Sequence, residues 1–95
     1  MHLRLPGHGD NGPTLEIYTY TSLVPQTPPV ANRIGYGHLA FTVEDVPETL
    51  RAVVAAGGSR LGDVVTVPVE NVGTLQFTYA RDPEGNLLEL QHWSP

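Results

Sequence analysis

The chain has 95 residues, of which 40% are hydrophobic, so its length and composition allow one small domain with a single core. Ten acidic residues against five basic ones give a formal charge of -5, which argues against nucleic acid as a partner. The absence of cysteine excludes disulfides and thiolate metal sites. No apolar run reaches membrane-spanning length and the N-terminus lacks a signal-peptide pattern, so we expect a cytoplasmic protein without membrane contact.

The first third of the chain shows extended segments and no helical periodicity. Residues 1–6 alternate briefly and predict a short edge strand ending at Pro6, and 7–13 are rich in turn formers. Residues 14–21 alternate and are rich in Thr, Ile and Tyr, which predicts a strand. Residues 22–33 hold three prolines without periodicity, which indicates an extended linker.

The segment 34–43 has the pattern of a buried strand with one histidine inside it. Its apolar side chains recur at every second residue, so one face is predicted to be covered and the other to line a cavity. The apolar set is Leu39, Phe41 and Val43, and it alternates with His38, Ala40 and Thr42. From this spacing alone, His38 is better interpreted as a histidine hydrogen-bonded within a sheet than as a ligand.

A helix is predicted to follow this strand. Asp45 can cap it, Glu48 completes a capping box, and Pro47 fits the first turn. The pair Gly57-Gly58 predicts its end. The apolar stripe of this helix consists of Val46, Leu50, Val53 and Val54, and we expect it to cover Leu39, Phe41, Leu88 and Leu90.

Three further strands are predicted after the helix, which gives the order β-α-β-β-β from residue 35. They span 61–67, stopped at Pro68, then 74–80 and 87–92. A turn or a bulged connection is expected at 69–73 and a tight turn at 82–86, in which Gly85 needs a positive φ. His92 is out of register with Glu89 and is expected to face away from it.

A short internal repeat links the two ends of the chain. Residues 12–17 and 85–90 share the pattern Gly-x-x-Leu-Glu-[Ile/Leu], and a turn containing aspartate precedes each copy. Each copy places a glutamate, Glu16 or Glu89, on the face opposite its aliphatic neighbours. The chain therefore has the organisation of the end of one module followed by a complete second module.

The stretches 35–46 and 82–90 resemble the vicinal oxygen chelate superfamily, which includes glyoxalase I, bleomycin-resistance proteins and extradiol dioxygenases. Residues 12–20 resemble the last strand of the first module in that family, and 28–33 resemble its linker. The resemblance implies an α+β fold of the glyoxalase/bleomycin-resistance/dioxygenase type in one domain, 1–95. This domain would comprise a partial, N-terminally truncated first module (1–21), a linker (22–33) and a complete βαβββ module (34–95).

The same resemblance implies a divalent metal on the concave side of the sheet. His38, Glu89 and Glu16 match ligand positions, whereas the family's remaining histidine has no match. Glu89 would also serve as the catalytic base, and the metal would be Ni, Zn, Mn or Fe, an empty site being the alternative. Tyr18 and Tyr20 are an even number of residues from Glu16, as Gln91 is from Glu89, so each should project to the same sheet face as its glutamate. We therefore expect Tyr18, Tyr20 and Gln91 to line the substrate pocket.

Two classes of function follow from the resemblance. One is a metal-dependent lyase, isomerase or dioxygenase that acts on a small oxygenated molecule. The other is a non-catalytic, bleomycin-resistance-like protein that binds a small molecule in a dimer cleft, and a truncated homologue without activity is a third possibility. One complete module leaves a sheet face and an edge uncovered, so we expect a homodimer or a higher homo-oligomer.

Overall fold

Residues 1–25 and 27–95 are described by a computed structural model with two sheets and one helix. The elements are β1 His2–Arg4, β2 Thr14–Glu16, β3 Leu39–Thr42, α1 Val46–Ala55, β4 Ser59–Val69, β5 Gly73–Arg81 and β6 Leu87–Ser94. From β3 onward the order is β-α-β-β-β, so the predicted α+β class and the order of the second module are confirmed.

The larger sheet has the strand order β3-β6-β5-β4. β3 runs parallel to β6, while β6, β5 and β4 form antiparallel pairs. A parallel pair needs a crossover connection, and α1 supplies the first part of it. Because β6 returns to lie between β3 and β5, the last strand of the chain occupies the middle of this sheet.

β1 and β2 form a separate antiparallel hairpin in which Leu3 pairs with Leu15. The short edge strand predicted over 1–6 is confirmed, but the strand predicted over 14–21 is too long, because β2 ends at Glu16. Two backbone hydrogen bonds between Ile17 and Met1 extend the pairing of this hairpin by one residue on each strand. Residues 18–21 continue without strand pairing.

Both predicted ends of α1 are confirmed. Asp45 has an extended backbone with φ -139°, and its Oδ1 accepts a hydrogen bond from the Glu48 amide at 3.0 Å. This contact satisfies one of the amides that a helix leaves free at its first turn. After Ala55, Gly57 takes φ +104°, a left-handed conformation that ends the helix at little cost for glycine.

The core lies between α1 and one face of the larger sheet. Val46, Leu50, Ala80 and Leu90 are buried together, and Phe41, Val43, Val53 and Val64 pack around them. The predicted apolar stripe of α1 is confirmed for Val46, Leu50 and Val53. It is wrong for Val54, which is 43% exposed. At 100° per residue, Val54 lies about 80° around the helix from Val46, beyond the contact with the sheet.

The strand predicted over 34–43 is shorter and more exposed than expected. Only Leu39–Thr42 form β3, and Ile34 and Tyr36 are fully exposed. β3 is an edge strand, and Leu39 remains half exposed because the core cluster under α1 reaches Phe41 and Val43 but not this end of the strand.

β4 continues past Pro68, the residue at which the sequence predicted that it would stop. It spans Ser59–Val69, and Pro68 pairs with Thr74. Because β4 is an edge strand, a missing amide proton is tolerated there. A bulge between Leu61 and Val65 bends the strand, and the fully buried Thr78 donates a hydrogen bond to the Asp63 carbonyl inside it at 3.2 Å.

The turn between β5 and β6 has the predicted form. Asp82 Oδ1 accepts hydrogen bonds from the amides of Glu84 and Asn86, both at 2.9 Å, and Gly85 has φ +89°. The Asp82 carboxylate therefore organises the turn that sets the register of β6 against β5. In the described part of the chain, no helix is long and apolar enough to cross a membrane.

Candidate metal-binding site

The candidate site lies on the sheet face opposite α1, which we call the open face. Residues directly opposite one another on antiparallel strands project to the same side of a sheet. The central rows of this face are Leu61, Tyr79 and Glu89, then Val65, Phe77 and Gln91, then Val67, Leu75 and Trp93. The buried residues Ala80 and Leu90 alternate with these positions and contact α1 instead.

His38 and Glu89 meet on the open face as predicted, although His38 lies one residue before β3 and not within it. His38 Nε2 lies 3.0 Å from Glu89 Oε1, with side-chain exposures of 32% and 13%. A carboxylate only accepts hydrogen bonds, so a neutral His38 carries its proton on Nε2 in this arrangement. Glu89 is the less accessible partner because β6 is flanked by strands on both sides.

His38 and Glu89 together provide two of the ligands that a divalent first-row cation needs. Imidazole nitrogen and carboxylate oxygen are its usual ligands, and each binds at about 2.1 Å. Two such donors at a right angle around one cation would lie about 3.0 Å apart, which is the separation of His38 Nε2 and Glu89 Oε1. The pair therefore fits two neighbouring coordination positions.

Tyr79 is a third member of this site, and the sequence pattern did not single it out. It lies directly opposite Glu89 on β5, and its ring is nearly perpendicular to that of His38, with 5.3 Å between the ring centres. Burial raises the pKa of Tyr79, and the negative charge of the nearby Glu89 acts in the same direction. Counting outward from the turn at 82–86 could have found this residue, since an antiparallel pair about that turn matches 79 with 89.

Glu16 stands apart from His38 and Glu89, in the β1–β2 hairpin. It makes its own pair there, with His2 Nε2 at 3.1 Å from Glu16 Oε1, and the Tyr18 hydroxyl donates to Glu16 Oε2 at 3.1 Å. Within residues 1–25 and 27–95, no group of three His, Cys, Asp or Glu side chains is arranged to hold a metal ion. The three predicted ligands are therefore not brought into one cluster.

The residues predicted to line the pocket fall into two places. Tyr18 and Tyr20 lie beyond β2, are more than 60% exposed, and contact each other with ring centres 6.2 Å apart. Gln91 lies on the open face, and its Nε2 donates a weak hydrogen bond to Thr42 Oγ1 at 3.4 Å. His92 faces away from Glu89 as predicted, since its Nδ1 lies 2.9 Å from the Val43 carbonyl on the helix side.

A cavity of about 360 Å³ opens beside His38, between the linker and the β5–β6 turn. Pro29 and Tyr36 form one wall, and Asp82 and Asn86 form the other. The two walls are tied together by Arg81, whose Nη1 donates to the Pro29 carbonyl at 3.0 Å and to the Gly85 carbonyl at 2.7 Å. A small molecule in this cavity would reach His38 from the end of the sheet.

The model of the Glyoxalase/Bleomycin resistance protein/Dioxygenase superfamily matches residues 5–90, and the chain belongs to this superfamily. A protein of Vibrio parahaemolyticus serotype O3:K6 (strain RIMD 2210633) named "Probable lactoylglutathione lyase" is 36% identical over 55 residues, which are 58% of this chain and 38% of that protein. The crystal structure of a glyoxalase family protein from Bacillus cereus superposes with a TM-score of 0.61 at 28% identity, over 78% of this chain. The chain covers 47% of that structure, so it spans less than half the length of both relatives.

Proposed function

We propose that this chain forms a divalent-metal centre of a glyoxalase-type enzyme, a lyase, isomerase or dioxygenase acting on a small oxygenated molecule. The single observation that carries the proposal is the contact of 3.0 Å between His38 Nε2 and Glu89 Oε1 on the open face. The similarity to the protein named "Probable lactoylglutathione lyase" supports the lyase class within this superfamily.

Two ligands hold a cation weakly, so a working metal centre needs further donors. The hairpin offers a second histidine–glutamate pair, His2 and Glu16, with nearly the same separation of 3.1 Å. The pair is separate from His38 and Glu89 within one chain. We infer that Glu16, with His2 beside it, completes the centre from a second copy of the chain.

The side chains of the open face would supply binding and proton transfer. Glu89 can hold a proton taken from a carbon next to a carbonyl group and return it to the neighbouring atom. The Gln91 amide can orient an oxygen of the bound molecule, and Phe77 and Trp93 can cover its apolar part. A bound cation would polarise the carbonyl and stabilise negative charge on its oxygen.

The second candidate function is non-catalytic binding of a small molecule. It is favoured by the apolar character of the open face, where Leu75, Phe77 and Trp93 surround few polar groups. A cleft between two such faces could hold an apolar or aromatic compound without metal. Metal titration separates the two candidates, because only the first depends on His38 and Glu89 as ligands.

The test is calorimetric titration of Ni, Mn and Zn into the purified chain, its His38→Ala variant and its Glu89→Gln variant. We expect weak binding, below one equivalent per chain at moderate metal concentration, which both variants lose. Glu84→Gln and His92→Gln are the matched controls, because Glu84 lies in the turn and His92 on the other sheet face. Equal binding by parent and both site variants would place the metal elsewhere, and no binding by the parent would favour the non-catalytic candidate.

A further inference from the structure

We propose that the outer edge of β3 is an interface for a second copy of the chain, whose strand β2 pairs with it, and that each copy donates its hairpin to the other. The inference goes beyond the proposed function. It concerns the pairing of two backbones and stands whether or not the protein binds metal.

β3 is an edge strand with backbone groups that point away from the sheet. The Val43 amide donates a hydrogen bond to the Gln91 carbonyl on β6 at 2.8 Å. Because backbone groups alternate in direction along a strand, those of Phe41 also point to β6, and those of Ala40 and Thr42 point outward. Within the described residues β3 pairs with β6 alone. A cavity of about 560 Å³ adjoins Ala40 and Thr42, so the chain itself leaves space along this edge.

The two edges of the larger sheet differ in their protection against pairing. Proline, bulges and charged side chains are the features by which edge strands avoid association. β4 has the first two, with Pro68 near its end and a bulge between Leu61 and Val65. β3, Leu39–Thr42, has no proline, no charged side chain and a regular register. β3 is therefore the edge that is suited to receive another strand.

The β1–β2 hairpin lacks support within its own chain. Its strands have three residues each, and they contact each other but no other element of the described chain. An isolated two-stranded hairpin is only marginally stable in water, so this hairpin gains from a further partner. The Ile17 amide donates to the Met1 carbonyl at 2.8 Å. By the same alternation Leu15 also points to β1, while the backbone groups of Thr14 and Glu16 point outward and offer a second edge.

The apolar side chains of the two edges match when β2 of one copy runs antiparallel to β3 of the other. Outward-pointing residues then lie opposite one another, and opposite residues project to the same face. Full overlap of the two strands places Leu15 opposite Phe41 and Ile17 opposite Leu39, on the helix side of the sheet. Ile17 is 44% exposed and Leu39 is 50% exposed in the single chain, so this pairing covers two apolar side chains.

The polar side chains match in the same register. Glu16 of the partner subunit lies opposite Ala40 on the open face, and Ala40 is in register with Glu89 on β6. The two carboxylates then share one row, separated by the small alanine side chain. Parallel pairing would reverse the faces and turn Glu16 toward the apolar helix side. The match of both faces therefore selects the antiparallel arrangement.

A second copy is the partner because each chain has one edge of each kind. β2 does not contact β3 within the described chain, so neither edge is satisfied there. A reciprocal exchange of hairpins between two copies pairs both edges and closes as a two-fold dimer. The open face is a different surface from this edge, so the test has to report which residues meet.

The first measurement is disulfide formation between single-cysteine variants, which is specific because the chain has no cysteine. Ile17→Cys and Leu39→Cys are mixed and oxidised, and we expect a disulfide-linked pair with one chain of each kind. Opposite residues of this type have Cα atoms about 4.5 Å apart, a separation that a disulfide can span. The matched control replaces Leu39→Cys by Leu61→Cys, a leucine that is 39% exposed on the other edge strand. No disulfide in the first mixture, or equal yields in the two mixtures, would overturn the inference.

The second measurement is amide hydrogen exchange at Ala40 and Thr42 over a range of protein concentrations. In the parent, exchange should slow as concentration rises, because pairing covers these two amides. Ile17→Lys should remove this protection by placing a charge against Leu39. Val24→Lys, at a linker position that is 91% exposed, is the control and should behave as the parent does.

Fast exchange at every concentration in the parent would also count against the interface. If a cysteine variant does not fold, the exchange of the parent decides. Both measurements use chelator-treated protein, so a parent that binds no metal would refute the proposed function while these results still decide on the interface.

Discussion

At the scale of single residues, Glu89 is the centre of the candidate site because its strand has a neighbour on each side. His38 reaches it from the residue before β3, and Tyr79 lies opposite it on β5. Glu16 has the same local sequence context as Glu89, but its strand has one partner and remains exposed. Identical local patterns therefore produce different surroundings.

The pKa of Tyr79 gives a test at this scale. In a titration of tyrosinate absorbance on metal-free protein, Tyr79→Phe should remove a component that ionises later than an ordinary tyrosine. Glu89→Gln should move that component to lower pH only in part, because burial is the larger cause and the Glu89 charge the smaller. The folded state holds this proton more tightly than the unfolded chain, so stability should fall as pH rises above about 10. Identical titration curves for the parent and Tyr79→Phe would contradict this assignment.

At the scale of elements, α1 holds the module together by covering one face of the sheet. Its two buried residues, Val46 and Leu50, contact β5 and β6 at Ala80 and Leu90. The opposite face of the same two strands carries the candidate site. The helix therefore stabilises the strands that position Tyr79 and Glu89 without touching either side chain.

Leu50→Ala tests this packing. The fully buried leucine should leave a cavity and lower the free energy of unfolding by about 2–5 kcal/mol. The matched control is Val54→Ala on the same helix, which should change it by less than about 0.5 kcal/mol because Val54 is 43% exposed. Chemical denaturation measures both, and similar values for the two variants would mean that the helix does not pack as described.

At the scale of the whole molecule, the main feature is that α1 covers one face of the larger sheet, while no described element packs on the other as a second layer. The open face exposes Leu61, Val65 and Trp93, each 39% exposed, beside Leu75 and Phe77. A contiguous apolar patch on a protein surface commonly marks an interface. Both edges of the sheet, β3 and β4, also lack a partner within it.

We expect a homodimer or higher homo-oligomer at micromolar concentration, measured by light scattering. Val65→Lys should shift the population toward monomer, because it places a charge on the apolar part of the open face, beside Phe77. Val72→Lys is the control, since Val72 is equally apolar but lies in the β4–β5 turn and is 64% exposed. A parent that is a well-folded monomer would contradict the expectation, and so would equal dissociation by the two variants.

The sequence by itself determined the order of elements in the second module, the caps of α1, the turn at Asp82 and Gly85, and the meeting of His38 with Glu89. The elements, the caps and the turn depend on residues that are close in sequence. The contact of His38 with Glu89 depends on a strand order that the family resemblance implies. Only the tertiary structure decided the length of β2, the exposure of Leu39 and the separation of Glu16 from the pair. Each of these depends on which strand lies next to which, and a pairing partner distant along the chain leaves no mark in the local alternation of side chains.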